Sequence, residues 1–262
     1  MSPDPDLHQI GRAVVEAGDR AGVVVRVIGG VAVAMHAAGE LEPGLCRSTA
    51  DLDFIVAKSG RSKLDGVFAE VELEPDRRFN SLNGAERRIY HTPDGLKADV
   101  FLGQFRMCHI VPMDEDRLVL DAPTAPLAEL VVTKAQVVQL THKDAVDLVA
   151  LLSDHELGGH DDGVINAGHV ADLCSRDWGL WRTLHRTLSQ VDTLLPEMDV
   201  ADRTRAVTAE RIAGLRTAID DAPKSQKWRL RNRIGDRKIW YELPEDPNRA
   251  DAALSGQLQA EG

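Results

Sequence analysis

Apolar positions along this chain change period several times, and the changes mark its elements. Leu7, Ile10, Val14 and Val15 recur at helical spacing, which predicts an amphipathic opening helix over residues 7–21. Residues 23–28 are a β-branched apolar run, expected as a buried strand. Gly29-Gly30 breaks that run, and residues 31–38 have the small apolar composition of a packed helix. A second apolar strand follows through Leu52, Phe54, Ile55 and Val56, opened by Asp51 and Asp53. Residues 63–71 predict another helix. Segments 87–91 and 96–102 flank Thr92-Pro93-Asp94-Gly95, a turn sequence, and predict a hairpin.

Residues 127–152 are helical in pattern and divide near Thr141, where Thr141 or His142 would cap the second helix. The glycine-rich polar stretch 154–168 reads as a domain boundary. Its His155, His160, Asp161 and Asp162 are expected in a solvated loop rather than around a metal, because metal ligands need rigid supports. Helices follow over 170–221. Trp178, Leu180, Trp181, Leu184 and Leu188 form one apolar face, and Ile212, Leu215 and Ile219 form another. The expected fold class is α/β (α+β), with a small mixed sheet first and helices after it.

Composition narrows the picture. The 262 residues are 43% hydrophobic and 28% charged, enough for a core under a polar surface. A net charge of −11 argues against a chain that coats nucleic acid along its whole surface, though not against a local basic patch. Cys46, Cys108 and Cys174 are odd in number and scattered, which fits reduced thiols in a cytoplasmic protein. The acidic, proline-containing start is unlike a signal peptide. Arg26, His36 and the glycine pair argue against a membrane span over residues 21–39.

Candidate chemistry concentrates in the first half. Backbone N–H groups at a glycine turn before a helix suit phosphate oxygens. Alternate residues of a strand share a face roughly 6.7 Å apart, so Asp51 and Asp53 point the same way. Two such carboxylates repel unless a cation lies between them, and Mg²⁺ is the hard, oxygen-preferring choice. In the hairpin, Lys97 and Asp99 share one face, and Ala98, Val100 and Leu102 take the other.

The ordered set Gly29-Gly30 … Arg47-Ser48-Thr49-Ala50-Asp51-Leu52-Asp53 resembles the nucleotidyltransferase superfamily with the polymerase β-like fold. Within it, residues 20–155 look most like the AbiEii/MenT group, the toxin component of type IV toxin–antitoxin systems. Lys134, followed by Lys143-Asp144 and Asp147, looks like that group's later motifs. The resemblance implies transfer of NMP from NTP to an acceptor hydroxyl with two Mg²⁺ ions. Asp51, Asp53 and Asp99 would be the metal ligands, and with Lys134 the catalytic set. Gly29, Gly30, Arg47, Ser48, Lys134 and Asp144 would bind the nucleotide, with Asp147 structural or in a supporting position. The implied acceptor is the tRNA 3′ end or another RNA, and the implied protein partner is a cognate antitoxin. Gly30 departs from the pattern, because many minimal members carry serine there.

Residues 224–241 hold seven basic residues against Asp236, a local charge of +6 in an acidic chain. Lys227, Arg229, Arg231 and Arg233 interleave with Trp228, a composition suited to a phosphate backbone with stacked bases. It equally suits a solvated helix packing its aromatics on the domain. The expected organisation is a nucleotidyltransferase domain over 1–155, with helices 126–152 at its end, then a helical domain over 156–243 and a frayed tail over 244–262. Two rivals stand beside this reading. One is a small-molecule nucleotidyltransferase of the antibiotic-modifying type, and the other a non-catalytic module that binds nucleotide or a partner.

Overall fold

A computed structural model describes residues 5–37, 39 and 41–243. The expected tail over 244–262 lies outside the described residues, as does Ala38 at the end of the second expected helix. The chain opens with α1 (Pro5–Ala21), β1 (Val25–Ile28) and α2 (Gly29–Met35). After a loop come β2 (Leu52–Val56), α3 (Leu64–Ala69), β3 (Glu74–Pro75), α4 (Arg77–Asn83), β4 (Arg87–His91) and β5 (Lys97–Leu102). The hairpin expected around Thr92 to Gly95 is present: β4 and β5 pair antiparallel, and Gly95 takes a φ of +94° at the turn. The sheet order is β1-β2-β5-β4-β3, and only the β2–β5 pair within it is parallel. This is the small mixed sheet that was expected.

A short second ribbon, β6 (Gln104–Arg106) and β7 (Ile110–Pro112), leads to α5 (Glu115–Leu118), then α6 (Leu127–Ala135) and α7 (His142–Asp154). The break near Thr141 is a true cap: the Thr141 hydroxyl accepts from the Asp144 N–H at 3.2 Å. Then come α8 (Ala167–Arg176), α9 (Trp178–Leu194), α10 (Asp202–Asp221) and α11 (Gln226–Ile234). Leu180, Leu184 and Leu188 of α9 are buried, as are Ile212, Leu215 and Ile219 of α10, so both stripes are core.

One hydrophobic cluster runs from Leu7 to Ile219, and it includes α6, α7, α8, α9 and α10. Arg211 of α10 donates to the Leu152 and Ser153 carbonyls at 2.8 and 2.7 Å, satisfying the C-terminal end of α7. The stretch after α7 is tied to the fold through Asp161. Arg117 reaches Glu129 at 2.6 Å and Asp161 at 2.6 Å, while Asn166 donates to Asp161 at 2.9 Å. Among the described residues no helix is long and apolar enough to cross a membrane.

Candidate active site

β1 and β2 are antiparallel with Ile28 opposite Asp53, and β2 and β5 are parallel with Asp53 opposite Asp99. Register partners share a face, so Asp53 and Asp99 stand side by side while Leu52 and Ala98 enter the core. The glycine bend closes on the same point. A side-chain carbon at Gly29 would lie 2.2 Å from the Asp53 Oδ2, and Gly29 has a φ of +72°. Only glycine meets both conditions. The helix therefore begins at Gly29 itself, two residues before its expected start.

Gly30 has a different reason to be glycine. A side-chain carbon there would lie 1.9 Å from an Arg47 guanidinium nitrogen. The space a serine would fill is taken by a charged donor. Arg47 is positioned by Asp147, which accepts from its Nε and Nη2 at 2.6 Å each. The Lys134 Nζ reaches the same carboxylate at 2.7 Å and Asp144 at 3.6 Å. Asp147 is thus the buried hub between the two cations expected to hold phosphate. The resemblance implied a structural or supporting position for Asp147, without naming Arg47 as its partner.

Asp51 sits one residue ahead of β2 and is exposed, with Ser48 exposed beside Arg47. Burial, then the charge of Asp99 and to a lesser extent that of Asp51, pushes the Asp53 carboxyl up to about 6, with Lys134 and Lys97 partly offsetting the rise. Asp99 goes the other way. Burial raises it, but hydrogen bonds from Arg87 and Lys97 at 2.7 and 2.6 Å more than reverse this and hold it below the usual carboxylate range. Sequence reading placed Lys97 on this face without giving it a role, and missed Arg87. The signal for Arg87 was its position opposite Phe101 in the hairpin, two residues from Asp99.

These donors set the terms for Mg²⁺. Among the described residues no group of three or more His, Cys, Asp or Glu is arranged around one ion position. Asp51 and Asp53 nevertheless fit one ion. The charge of Asp51 reaches Asp53, neither carboxylate is hydrogen-bonded to a cation among the described residues, and Mg²⁺ is ordinarily held by one or two carboxylates plus substrate phosphates and water. Asp99 does not fit a second ion as it stands, because both its oxygens are engaged.

No protein-family model matches the chain, and no curated protein matches it. Among solved structures, it is similar to the antibiotic-resistance factor ANT(2'')-Ia, at 9% identity over 90% of this chain and 100% of that one, with a TM-score of 0.39. It is also similar to an antigenic nucleotidyltransferase-like protein from Paracoccidioides brasiliensis, at 14% identity over 86% and 96%, with a TM-score of 0.40.

The basic segment lies elsewhere. Helix α11 packs on α8 and α9, with Lys227, Arg229 and Arg233 exposed. Arg231 turns inward, donating to the Gly235 and Lys238 carbonyls at 2.7 and 2.6 Å with its guanidinium 4.3 Å from the Trp178 ring. Trp228 is buried with its ring packed on Trp181, as in the alternative of a helix packing its aromatics on the domain.

Gly29→Ala is expected to cost at least about 1–3 kcal/mol, since it combines a positive φ with a clash against Asp53. Thermal denaturation checks this. A variant as stable as the native chain would mean the bend is not closed on Asp53.

Proposed function

We propose that the chain is a magnesium-dependent nucleotidyltransferase, moving NMP from NTP to an acceptor hydroxyl and releasing pyrophosphate. The observation that carries this reading is the placement of Asp53. It stands beside Asp99, against the Gly29 bend, and close enough to Asp51 and Lys134 for both to move its pKa.

In this reading the acceptor oxygen bonds to the α-phosphorus, the bond to the β-phosphate oxygen breaks, and the acceptor proton leaves to solvent or a carboxylate. Arg47 and Lys134 hold the departing phosphates, with Asp147 fixing the distance between them. Asp51 and Asp53 would hold Mg²⁺, which when bound neutralises the triphosphate and lowers the pKa of the attacking hydroxyl. Asp99 aims Lys97 and Arg87. For it to act as base, or as ligand to a second ion, the Lys97 ammonium would have to move off. Ser48 and Asp144 flank the two cations and complete the nucleotide side.

The test is incubation with α-labelled NTPs and Mg²⁺ against pools of RNA, protein and small hydroxyl compounds, comparing native chain with Asp53→Asn. Label transfer that the variant lacks supports the reading. Equal transfer by both rejects it. Magnesium-dependent stabilisation by NTP without pyrophosphate release would instead favour a nucleotide-binding module.

A second reading takes RNA as the acceptor, from the exposed Lys227, Arg229 and Arg233 along α11. Replacing all three with Glu is then expected to weaken tRNA binding and to reduce the slope of log affinity against log salt by about 2–3. Unchanged affinity and slope would remove RNA from that surface.

A further inference from the structure

Crossing the sheet from β1 to β4, the glycine bend, Asp53, Asp99 and Arg87 follow one another on a single face. Beyond Arg87 this face ends in a groove of 490 Å³ between α4, the adjoining ends of β4 and β5, and the segment bearing Glu242. Its walls have a definite chemistry. The Arg87 guanidinium lies 5.7 Å from the Phe79 ring centre and 5.3 Å from that of Phe101, so the slot already holds one flat cation between aromatic groups. The charged residues lining the groove are Arg87 and Arg106 against Glu86 and Glu242, so their charges cancel, and Arg106 reaches Glu242 at 2.9 Å and Glu86 at 3.2 Å. The Asn83 and Gln104 amides supply uncharged donors and acceptors.

The geometry points to this groove as the acceptor site, taking a neutral alcohol built on a planar ring, with the free nucleosides as members of that class. The inference rests on the nucleotidyl-transfer reading above and adds to it the side of entry and the kind of acceptor. Attacking and leaving oxygens stand roughly in line across a phosphorus in transfer. With the phosphate cations Arg47 and Lys134 on the β1 side, the hydroxyl must approach from the β4 side, where Arg87 joins Asp99 to the groove. The volume suits a small molecule. Its cancelled charge does not suit a polyanion, and the exposed basic residues of α11 do not line it. A ring lying against Phe79 stacks beside the Arg87 guanidinium, which fills the slot between Phe79 and Phe101.

The test offers the four ribonucleosides, kanamycin and total tRNA separately, with α-labelled NTP and Mg²⁺. Label on a ribonucleoside is expected. Phe79→Ala should raise the KM for that nucleoside about ten-fold with the KM for NTP unchanged, and Phe79→Tyr should restore it. Phe79 is half-buried near the surface, and a melting curve matched to the native chain verifies that the variant folds. Label on kanamycin or tRNA but on no ribonucleoside overturns the proposal. So does a nucleoside KM that Phe79→Ala leaves unmoved. If NTP with Mg²⁺ neither shifts the melting temperature nor labels any acceptor, the nucleotidyl-transfer reading fails and takes this proposal with it. A thermal shift with no labelled nucleoside overturns the groove alone.

Discussion

Asp53→Asn is expected to melt higher than the native chain at pH 7.5 without divalent ions, while its nucleotidyl transfer falls by at least about a thousand-fold. The two effects have one origin. The Asp53 carboxyl is raised to about 6 by burial and by the charges of Asp99 and Asp51, so the folded state binds its proton more tightly than the unfolded state does. Stability from this group is fully present below the ordinary carboxylate pKa and is lost as pH rises toward 6. At pH 7.5 the loss is about 2–3 kcal/mol, or roughly 5–10 °C in a chain of this size. Asparagine keeps the shape and removes the charge. The gap between variant and native chain should close near pH 4, and Mg²⁺ with NTP should narrow it by stabilising only the native chain. Melting curves over pH 4–8 decide the matter. A variant that melts lower at pH 7.5 would show that Asp53 is not under charge strain.

Asp147→Ala is expected to do the opposite, destabilising the chain by about 3–5 kcal/mol, which corresponds to roughly 10 °C or more. Asp147 is only 3% exposed and accepts from Arg47 at 2.6 Å and Lys134 at 2.7 Å. Its removal leaves two cations in a half-buried site with little to hold them. The double variant Arg47→Met with Asp147→Met tests whether the pair, rather than the carboxylate alone, matters. It should recover much of the lost stability, because replacing both partners by apolar groups of similar size is far less costly than orphaning one. Equal losses in the single and double variants would show that Asp147 acts through packing. In neither case should NTP binding survive, since the spacing of Arg47 and Lys134 is lost.

The parts of this arrangement that were legible in the sequence are those set by short-range pattern. Strand alternation turned Asp53 away from the core side taken by Leu52 and put Asp99 on one face with Lys97, the turn at Thr92 to Gly95 located the hairpin, and the period change at Thr141 separated α6 from α7. What stayed hidden depends on pairing between distant segments. The reason Gly30 is glycine is Arg47, and that contact exists only once the loop before β2 folds back over α2. The occupation of both Asp99 oxygens needs β4 beside β5 and Lys97 one pleat away. The basic stretch over 224–241 was read from composition, which could not tell that Trp228 faces inward and that Arg231 is held by its own backbone. Side-chain direction on a short surface helix follows from what it packs on, and composition does not record that.

The junction between α7 and α10 has a consequence for how this protein can be cut or recombined. Asp144 and Asp147 stand on α7, whose opposite side is sealed by later helices and whose last carbonyls are satisfied by Arg211. The carboxylate-bearing half is therefore no detachable cassette. Grafting it onto another scaffold would require carrying the buttress along, or rebuilding the underside of α7 to tolerate water.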